Sequence, residues 1–442
     1  MKSKLFKLIL FIFFSLVVLS IFAIFFDNKF YNNLPESLNK KSKKYLNEIF
    51  FNLPERTQLS IKLLDLEKKF RIEENKIDTR SFKNDYNVKF LPETHFLKIN
   101  LKEKKLFVRD GNTLKKVKYT RYIDNYNENF LIISGEGGKF YKWKIKFEDI
   151  VSDKNIEVDE INSNLTNQLS DILVFNEKLF VSFYEERDNC KFFKIAEVKI
   201  NLSYLNFNDF FVSEECLLEK PGGGRIQIIE HDGSKGLLVT TGGYIMNQPT
   251  SNPQDNKSVM GKTLFFDFNT KEKVVFSKGH RNPQGLYFDE IHNVILSTEH
   301  GPEGGDEINK IEFSQNYGWP ISSYGKRYEK VKLNPDLKYE KSHEELNFVE
   351  PVFSFVPSIG ISEIIKIPNK FSEYWQDNYF VSSLNDKSLY RVKFSKNFNK
   401  VLFVEKIFIG ERIRDLKYNE NENIFILSLE YDYGLGFIYK IN

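Results

Sequence analysis

The residues best suited to chemistry lie in two neighbouring segments. Gly279–Gly285 contains a His, an Arg and an Asn in succession, and Glu299–Asn309 is rich in carboxylates. Between Glu299 and Glu307 the chain places four carboxylates among three glycines and a proline. Calcium prefers carboxylate and carbonyl oxygens, and glycine lets the backbone approach an ion closely. The acidic segment is therefore a candidate metal loop, although it lacks the spacing of an EF-hand. An acidic surface turn is the alternative.

Arginines give a second chemical signal. Arg281 carries a fixed fork of donors that suits carboxylates, and Asn282 adds an amide beside it. Arg412 and Arg414 lie two residues apart, so a strand would place both on one face. Two adjacent like charges repel unless an anion lies between them, which predicts a small-anion contact. The alternatives are a structural hydrogen-bond cluster for the first pair and an ion-pair cluster around Asp415 for the second.

Short strands must position these residues. From about residue 90 the chain alternates short apolar runs with turns such as Asp110-Gly111 and Asp232-Gly233, without a long amphipathic helix. Aromatic residues make up 15% of the chain, which suits pleated surfaces. Roughly two dozen candidate strands exceed one sandwich, whereas a β-propeller holds them in four-stranded blades. We therefore predict an all-β fold over residues 86–442, a six-bladed β-propeller.

Composition excludes several classes of protein. Hydrophobic residues make up 41% and charged residues 28% of the chain, as in a folded globular protein. The formal net charge of +3 argues against a dedicated nucleic-acid binder. Two cysteines cannot build a disulfide framework or a four-thiolate zinc site. Because Cys190 and Cys216 flank neighbouring strand segments, we predict one disulfide between them, with two buried free thiols as the alternative.

The N-terminal residues 1–27 have the character of a membrane anchor. The run Leu8–Phe26 contains no charge and would span about 28 Å as a helix, roughly one hydrocarbon core. Three lysines precede it, and no small-residue cleavage site ends it. We expect an uncleaved signal-anchor helix, a linker with helical pieces over 28–85, and a propeller on the periplasmic side. Lysines after the run leave the orientation open.

Together the motifs resemble the glucose/sorbosone dehydrogenase family, which consists of PQQ-dependent aldose sugar dehydrogenases with six-bladed propellers. The similarity covers residues 168–442 and is looser over 90–167. Its most specific segments are Gly279–Gly285, Glu299–Asn309, Asn316–Pro320 and Arg412–Asp415. The resemblance implies a PQQ- and calcium-dependent oxidoreductase whose substrate is a small-molecule sugar and whose electron acceptor is unspecified.

The resemblance also assigns roles to residues. Carbonyl groups of Gly301 and Pro302 would hold a calcium ion that bridges to the cofactor, and Glu307 and Tyr317 would hold a second, structural calcium. PQQ is a quinone with three carboxylates, and the residues implied to bind it are Arg281, Asn282, Arg412, Arg414 and Ser358.

Three positions depart from the family pattern. The family's general base is a histidine four residues before the arginine of its Gly-Gly-Arg motif, but Pro221 stands there and has no basic side chain. Asn385 replaces a lysine that pairs with the quinone, and Gly242-Gly243 replaces Gly-Asp. His300 is the first candidate for a substitute base.

These departures leave three functions open. The chain could be a membrane-anchored sugar dehydrogenase with an unusual base. It could instead be a catalytically degenerate propeller that binds a sugar or a partner, or a structural envelope protein. The retained arginines favour the first function, whereas Pro221 and Asn385 favour the second. We expect PQQ to bind and glucose turnover to be slow.

Overall fold

The computed structural model describes residues 97, 99–117, 119–217, 220–243, 252–326, 342–430 and 434–440. They belong to the second of two compact units, residues 90–442. They contain the short helix α1 (Phe147–Val151) and 28 strands. The strands in chain order are β1 (Ile99–Lys104), β2 (Leu106–Asp110), β3 (Thr113–Lys116), β4 (Ile123–Tyr126), β5 (Phe130–Ser134), β6 (Phe140–Lys144), β7 (Ile156–Ser163), β8 (Leu169–Phe175), β9 (Lys178–Arg187), β10 (Cys190–Lys199), β11 (Tyr204–Leu205), β12 (Asn208–Val212), β13 (Gly223–His231), β14 (Ser234–Thr241), β15 (Lys262–Asp267), β16 (Lys273–Lys278), β17 (Pro283–Asp289), β18 (Val294–Glu299), β19 (Asp306–Ile311), β20 (Gln315–Asn316), β21 (Phe353–Phe355), β22 (Ile361–Lys366), β23 (Asn378–Ser383), β24 (Ser388–Phe394), β25 (Val401–Phe408), β26 (Ile413–Asn419), β27 (Ile424–Leu429) and β28 (Gly434–Lys440).

The strands assemble radially. One strand from each sheet contacts its counterparts in a closed ring, in the order β4, β8, β13, β17, β22, β26 and back to β4. The N-terminal strand β1 pairs with β28 and completes the sheet of β26, β27 and β28. The two ends of the propeller are therefore held together in one sheet, which confirms the prediction of an all-β propeller.

The sheets are not all equal. Five follow a four-stranded antiparallel plan, apart from the two-residue strand β20 added beside β16. The sheet that contains β4 has seven strands, because β2 and β11 each pair in parallel with β7. The prediction of six four-stranded blades therefore holds for five sheets and is wrong for this one. The added strands cover an edge of β7 that would otherwise expose unpaired backbone groups.

Aromatic side chains fill the space between sheets. Phe425 lies between Phe371 and Phe380, with ring centroids 4.8 Å and 4.9 Å away. All three side chains are fully buried. Such edge-to-face pairs add about 0.5–1.5 kcal/mol beyond the burial of their area. The aromatic-rich composition thus serves the packing of neighbouring blades.

The predicted disulfide is confirmed. Cys190 and Cys216 are bonded, 26 residues apart in sequence. Lys191 and Leu217, the residues that follow them, form an antiparallel bridge. The bond therefore fastens the segment around Cys216 to the start of β10.

Replacing both cysteines by serine is expected to lower the free energy of unfolding by about 3.5 kcal/mol, because the bond restricts the unfolded chain. Thermal unfolding with and without a reducing agent measures this. The reductant should lower the melting temperature of the wild type and leave the double variant unchanged. An unchanged melting temperature of the wild type in the reductant would contradict the prediction.

Within the described ranges, no helix has the length and apolar character needed to cross a membrane. The predicted signal-anchor (1–27) and linker (28–85) lie outside the described residues.

Candidate functional site

A cavity of about 220 Å³ lies between the segment that precedes β4 and the sheet of β26, β27 and β28. Arg414 in β26 donates from Nε and Nη2 to Glu430 Oε1, at 2.7 Å and 2.5 Å. Arg412 Nε donates to Glu430 Oε2 at 3.0 Å, and Arg121 Nη1 lies 3.3 Å from Glu430 Oε1. The lining residues are Tyr119, Thr120, Arg121, Arg412, Arg414 and Glu430.

The cavity is electrostatically unbalanced. Burial alone would raise the pKa of Glu430, but the charges and hydrogen bonds of Arg414 and Arg412 hold it below its usual value. Three guanidinium groups thus face one ionised carboxylate, which leaves positive charge in excess among the lining residues. The alternative of an ion-pair cluster is confirmed in part: both arginines pair with a carboxylate, but it is Glu430 and not Asp415, which pairs with Arg225 at 2.8 Å. The arginine pair therefore has the charge to bind an anion.

Gln284 joins this cavity to the His-Arg-Asn motif. Its Oε1 accepts a hydrogen bond from Arg414 Nη1 at 2.7 Å, and its Nε2 donates to Asn282 Oδ1 at 2.8 Å. The structure thus brings together the two arginine-containing motifs. Sequence reasoning missed Gln284, although its place two residues after Asn282 would have put both on one face of a strand.

Asn282 is held from a third side by the glycine-rich loop. Gly223 N donates to Asn282 Oδ1 at 3.0 Å. A Cβ atom on Gly222 would lie 2.1 Å from the same oxygen, and the φ of Gly222 is +85°. Gly222 is therefore required by the close approach of the loop to Asn282, whereas Gly223 and Gly224 are required by Thr241–Gly242 and by Ser170.

Arg281 is fixed by its neighbours. Its Nη1 donates to the backbone oxygen of His300 at 2.7 Å, and its guanidinium lies over the Trp319 ring, 5.2 Å from the centroid. Glu299 accepts hydrogen bonds from the backbone N–H groups of Arg281 and Asn282. The carboxylate of Glu299 thus positions the motif.

His300 is a neutral hydrogen-bond donor. Burial is the main cause that lowers its pKa to about 4; the charges of Arg414 and Arg281 act in the same direction, and Asp306 opposes them. The amide Nδ2 of Asn282 faces His300 Nδ1 at 3.5 Å, so the ring proton belongs on Nε2. That Nε2 is buried and has no hydrogen-bond partner among the described residues. Since Nε2 already carries a proton, this geometry disfavours His300 as a substitute base.

The carboxylates of the acidic loop do not converge. Asp306 accepts hydrogen bonds from the backbone N–H groups of Gly301, Ile359 and Ile361, at 3.0–3.1 Å. The side chain of Glu303 is exposed. Within the described part of the chain, no group of three or more His, Cys, Asp or Glu residues could hold a metal ion. Ser358 Oγ lies 3.5 Å from the carbonyl oxygen of Pro302, so this carbonyl faces the predicted cofactor-binding serine.

Glu307 and Tyr317 are the predicted ligands of the structural calcium, and they differ in whether their side chains could contact the ion. Burial and the nearby charge of Glu299 raise the pKa of Glu307 to about 8, so a cation beside it would be favoured. The Tyr317 hydroxyl donates to the Lys310 carbonyl at 2.5 Å and accepts from Glu312 N at 2.9 Å. Any contact of Tyr317 with a metal would have to come from its backbone carbonyl.

The positions that depart from the family pattern belong to the same region. Pro221 is buried, and a Cβ atom on Gly242 would lie 1.9 Å from its carbonyl oxygen. Gly243 N donates to the Arg281 carbonyl at 2.7 Å. Asn385 is exposed and follows Leu384, whose carbonyl accepts from Arg412 Nη1 at 3.3 Å. These positions therefore adjoin the site without supplying a basic side chain.

Comparison with known proteins finds one matching family and similar sugar dehydrogenases. A model of the Glucose / Sorbosone dehydrogenase family matches residues 127–435. Aldose sugar dehydrogenase YliI of Escherichia coli is 30% identical over 223 residues, 47% of this chain and 57% of that protein. Quinoprotein glucose dehydrogenase B of Acinetobacter calcoaceticus is 30% identical over 165 residues, 37% of this chain and 30% of that protein. The matches thus span less than two thirds of either relative.

Solved structures show the same fold. The apo-form of the soluble Aldose sugar dehydrogenase from Escherichia coli aligns with a TM-score of 0.61 and 21% identity, over 78% of this chain and 100% of that chain. The PQQ-bound Aldose Sugar Dehydrogenase from Streptomyces coelicolor aligns with a TM-score of 0.54 and 17% identity, over 77% and 98%.

Proposed function

Because this chain belongs to the glucose/sorbosone dehydrogenase family, we propose that it is a PQQ-dependent oxidoreductase of aldose sugars. The observation that carries this proposal is the arginine cavity. Arg121, Arg412 and Arg414 surround the single carboxylate of Glu430, so their combined charge suits a cofactor with three carboxylates. Gln284 connects this cavity to Asn282, so one molecule could contact both motifs.

Each residue of the site has a distinct task. Bound PQQ would supply the oxidant that takes up the hydride of the sugar. Arg412 and Arg414 would bind its carboxylates, and Arg281 and Asn282 would contact the cofactor through their side chains. Burial lowers the pKa of His300 to about 4 and keeps it neutral at pH 7, so it would add no positive charge beside Arg281.

Removal of the sugar hydroxyl proton is the step that limits the rate. Pro221 has no side-chain acceptor, and the Nε2 atom of His300 already carries a proton. A positioned base contributes about 10²–10⁴ in rate. Turnover is therefore slow, and proton removal limits it.

A single-turnover experiment tests the proposal. The full chain, purified in detergent, is loaded with PQQ and calcium and mixed with a panel of aldoses while the quinone absorbance is followed. We expect slow loss of the oxidised quinone band with at least one aldose. A bound cofactor that no aldose reduces would contradict the proposed activity. It would favour the second candidate, a cofactor- or sugar-binding module, which Pro221 already supports.

Two calcium ions are proposed to bind at the acidic loop, one at the carbonyls of Gly301 and Pro302 and a second, structural one at the Glu307 carboxylate and the Tyr317 carbonyl. The raised pKa of Glu307 supports this proposal, because a cation relieves the repulsion between its carboxylate and that of Glu299.

Calcium is expected to raise the melting temperature of the full chain relative to a chelator. At 100 times its dissociation constant, a ligand adds about 2.7 kcal/mol to the free energy of unfolding. Glu307→Gln should reduce the response, because it removes a ligand of the structural ion, whereas Glu303→Gln, which changes an exposed carboxylate of the same loop, should keep it in full. Equal melting temperatures of the wild type with calcium and with chelator would overturn the proposal.

The location of the protein is also a proposal. Residues 1–27 would anchor the chain in a membrane, with the propeller on the periplasmic side. The apolar run Leu8–Phe26 and the Cys190–Cys216 disulfide support it, since disulfides persist in oxidising compartments. Protease treatment of intact spheroplasts tests it: the propeller should be digested, and full protection would contradict this orientation.

A further inference from the structure

Arg121 reaches the cavity from the part of the chain whose sequence resembles the family only loosely. It precedes β4, and its backbone N–H donates to the Ser134 carbonyl at 2.9 Å. The hydroxyl of the preceding Thr120 is buried and lies 2.8 Å from the carbonyl oxygens of both Leu429 and Gly434. The segment before β4 is thereby fastened to the adjoining ends of β27 and β28, beside Glu430.

The backbone at Tyr119 indicates that this placement is imposed. Tyr119 lines the cavity and has a φ of +54°, in the left-handed region that bulky residues rarely adopt. Such a conformation costs about 1–3 kcal/mol and persists only where the surroundings fix it. The Thr120 hydroxyl, whose proton is shared between the carbonyls of Leu429 and Gly434, supplies that fixation. The position of Arg121 is therefore set by the fold.

Glu430 does not use the full capacity of Arg121. Arg412 and Arg414 make its shorter hydrogen bonds, at 3.0 Å, 2.7 Å and 2.5 Å, against 3.3 Å for Arg121. Among the described residues, the guanidinium of Arg121 makes one contact, to Glu430 at 3.3 Å, and the Arg121 side chain is 32% exposed. Arg121 therefore has donor capacity left for a ligand in the cavity.

The second contact of Arg412 lies next to Asn385, where the resemblance implies a lysine. Asn385 is exposed and follows Leu384, which accepts a hydrogen bond from Arg412. Asparagine supplies no positive charge there. Arg412 thus shares Glu430 with Arg121 and contacts the residue before Asn385, and of these two neighbours only Arg121 carries a charge.

We propose that Arg121 is a third carboxylate-binding residue of the cofactor site, and that its charge takes the place of the one absent at Asn385. This inference rests on the proposed function. Arg121 does not take part in proton or hydride transfer. Its role is to favour a tricarboxylate over ligands with fewer negative charges.

Equilibrium titration of the full chain with PQQ, followed by quinone absorbance, tests the role of Arg121. Arg121→Gln should raise the dissociation constant at least tenfold and make binding less sensitive to sodium chloride, because one charged contact is lost. Adding Asn385→Lys to that variant should recover at least part of the affinity. Arg109→Gln is the matched control, since Arg109 is exposed and pairs with Glu157 at 2.7 Å. It should bind like the wild type.

The outcomes separate this inference from the proposed function. A wild type that binds no PQQ refutes both. Wild-type affinity and salt dependence in Arg121→Gln refute the role of Arg121 alone. If Arg121→Gln does not fold, arginine modification by phenylglyoxal decides: PQQ should protect Arg121 and leave Arg109 reactive. Equal modification of Arg121 with and without PQQ would overturn the inference.

Discussion

Replacing Arg225 by methionine is expected to lower the free energy of unfolding by about 3–5 kcal/mol at pH 7, the cost of leaving buried charges without their partner. Arg225 is 3% exposed and forms ion pairs with Asp171 at 3.2 Å, Asp415 at 2.8 Å, and Glu363. Asp415 also accepts a hydrogen bond from the backbone of Ile123 at 2.8 Å. One cation thus links β8, β13, β22 and β26, and through Asp415 also β4.

The decrease in the free energy of unfolding caused by Arg225→Met should be smaller at pH 5 than at pH 7. Burial raises the pKa of Asp171 to about 6, Asp415 acts in the same direction, and Arg225 opposes them. A carboxyl whose pKa is raised by folding stabilises the folded state at low pH, and this contribution is lost as the pH rises through its folded pKa. Without Arg225, protonation at pH 5 removes part of the uncompensated charge.

Urea unfolding of both proteins at pH 7 and pH 5 measures these effects. Arg109→Met, which changes an exposed arginine, is the control and should unfold like the wild type. An Arg225→Met protein within about 1 kcal/mol of the wild type at pH 7 would show that this buried network does not hold the inner strands together.

Replacing Pro221 by histidine is expected to raise the rate of aldose oxidation at least tenfold. A positioned base contributes about 10²–10⁴, and the lower figure allows for imperfect placement in the loop. The gain should appear in the turnover rate and follow the titration of a histidine, with higher rates above its pKa. Pro221→Ala is the matched control, because it removes the proline ring without adding a base.

Two results would contradict this prediction. A Pro221→His protein no faster than Pro221→Ala would show that proton removal does not limit the rate. A wild type that oxidises aldoses at about 10 per second would show that another group already accepts the proton.

The sequence predicts the propeller because alternating apolar runs and turn residues are local signals. It also predicts the disulfide and the proximity of Arg412 and Arg414, which both contact Glu430 although Arg412 lies just before β26. Arg121 could not be predicted in the same way, because the closure of the propeller brings it to the cavity from 309 residues before Glu430 in the sequence. Glu430 follows β27 and was missed because its position beside the arginines depends on the register between β26 and β27.

For the acidic loop, the sequence suggests a feature that the structure does not show. Its composition suggests that four carboxylates share one cation, but backbone N–H groups occupy two of them, Glu299 and Asp306. Composition cannot reveal those partners, since they depend on how β18 and β19 meet the neighbouring loops. The seven-stranded sheet escaped prediction for a related reason, because the parallel pairing of β2 with β7 leaves no local signature.

The central claim is that the arginine cavity binds PQQ, and an equilibrium titration of the detergent-solubilised full chain in calcium tests it most directly. The account predicts saturable binding of one PQQ per chain, lost in the Arg412→Gln, Arg414→Gln double variant whose melting temperature confirms folding. Absence of binding to the wild type, or equal binding to the double variant, would contradict it.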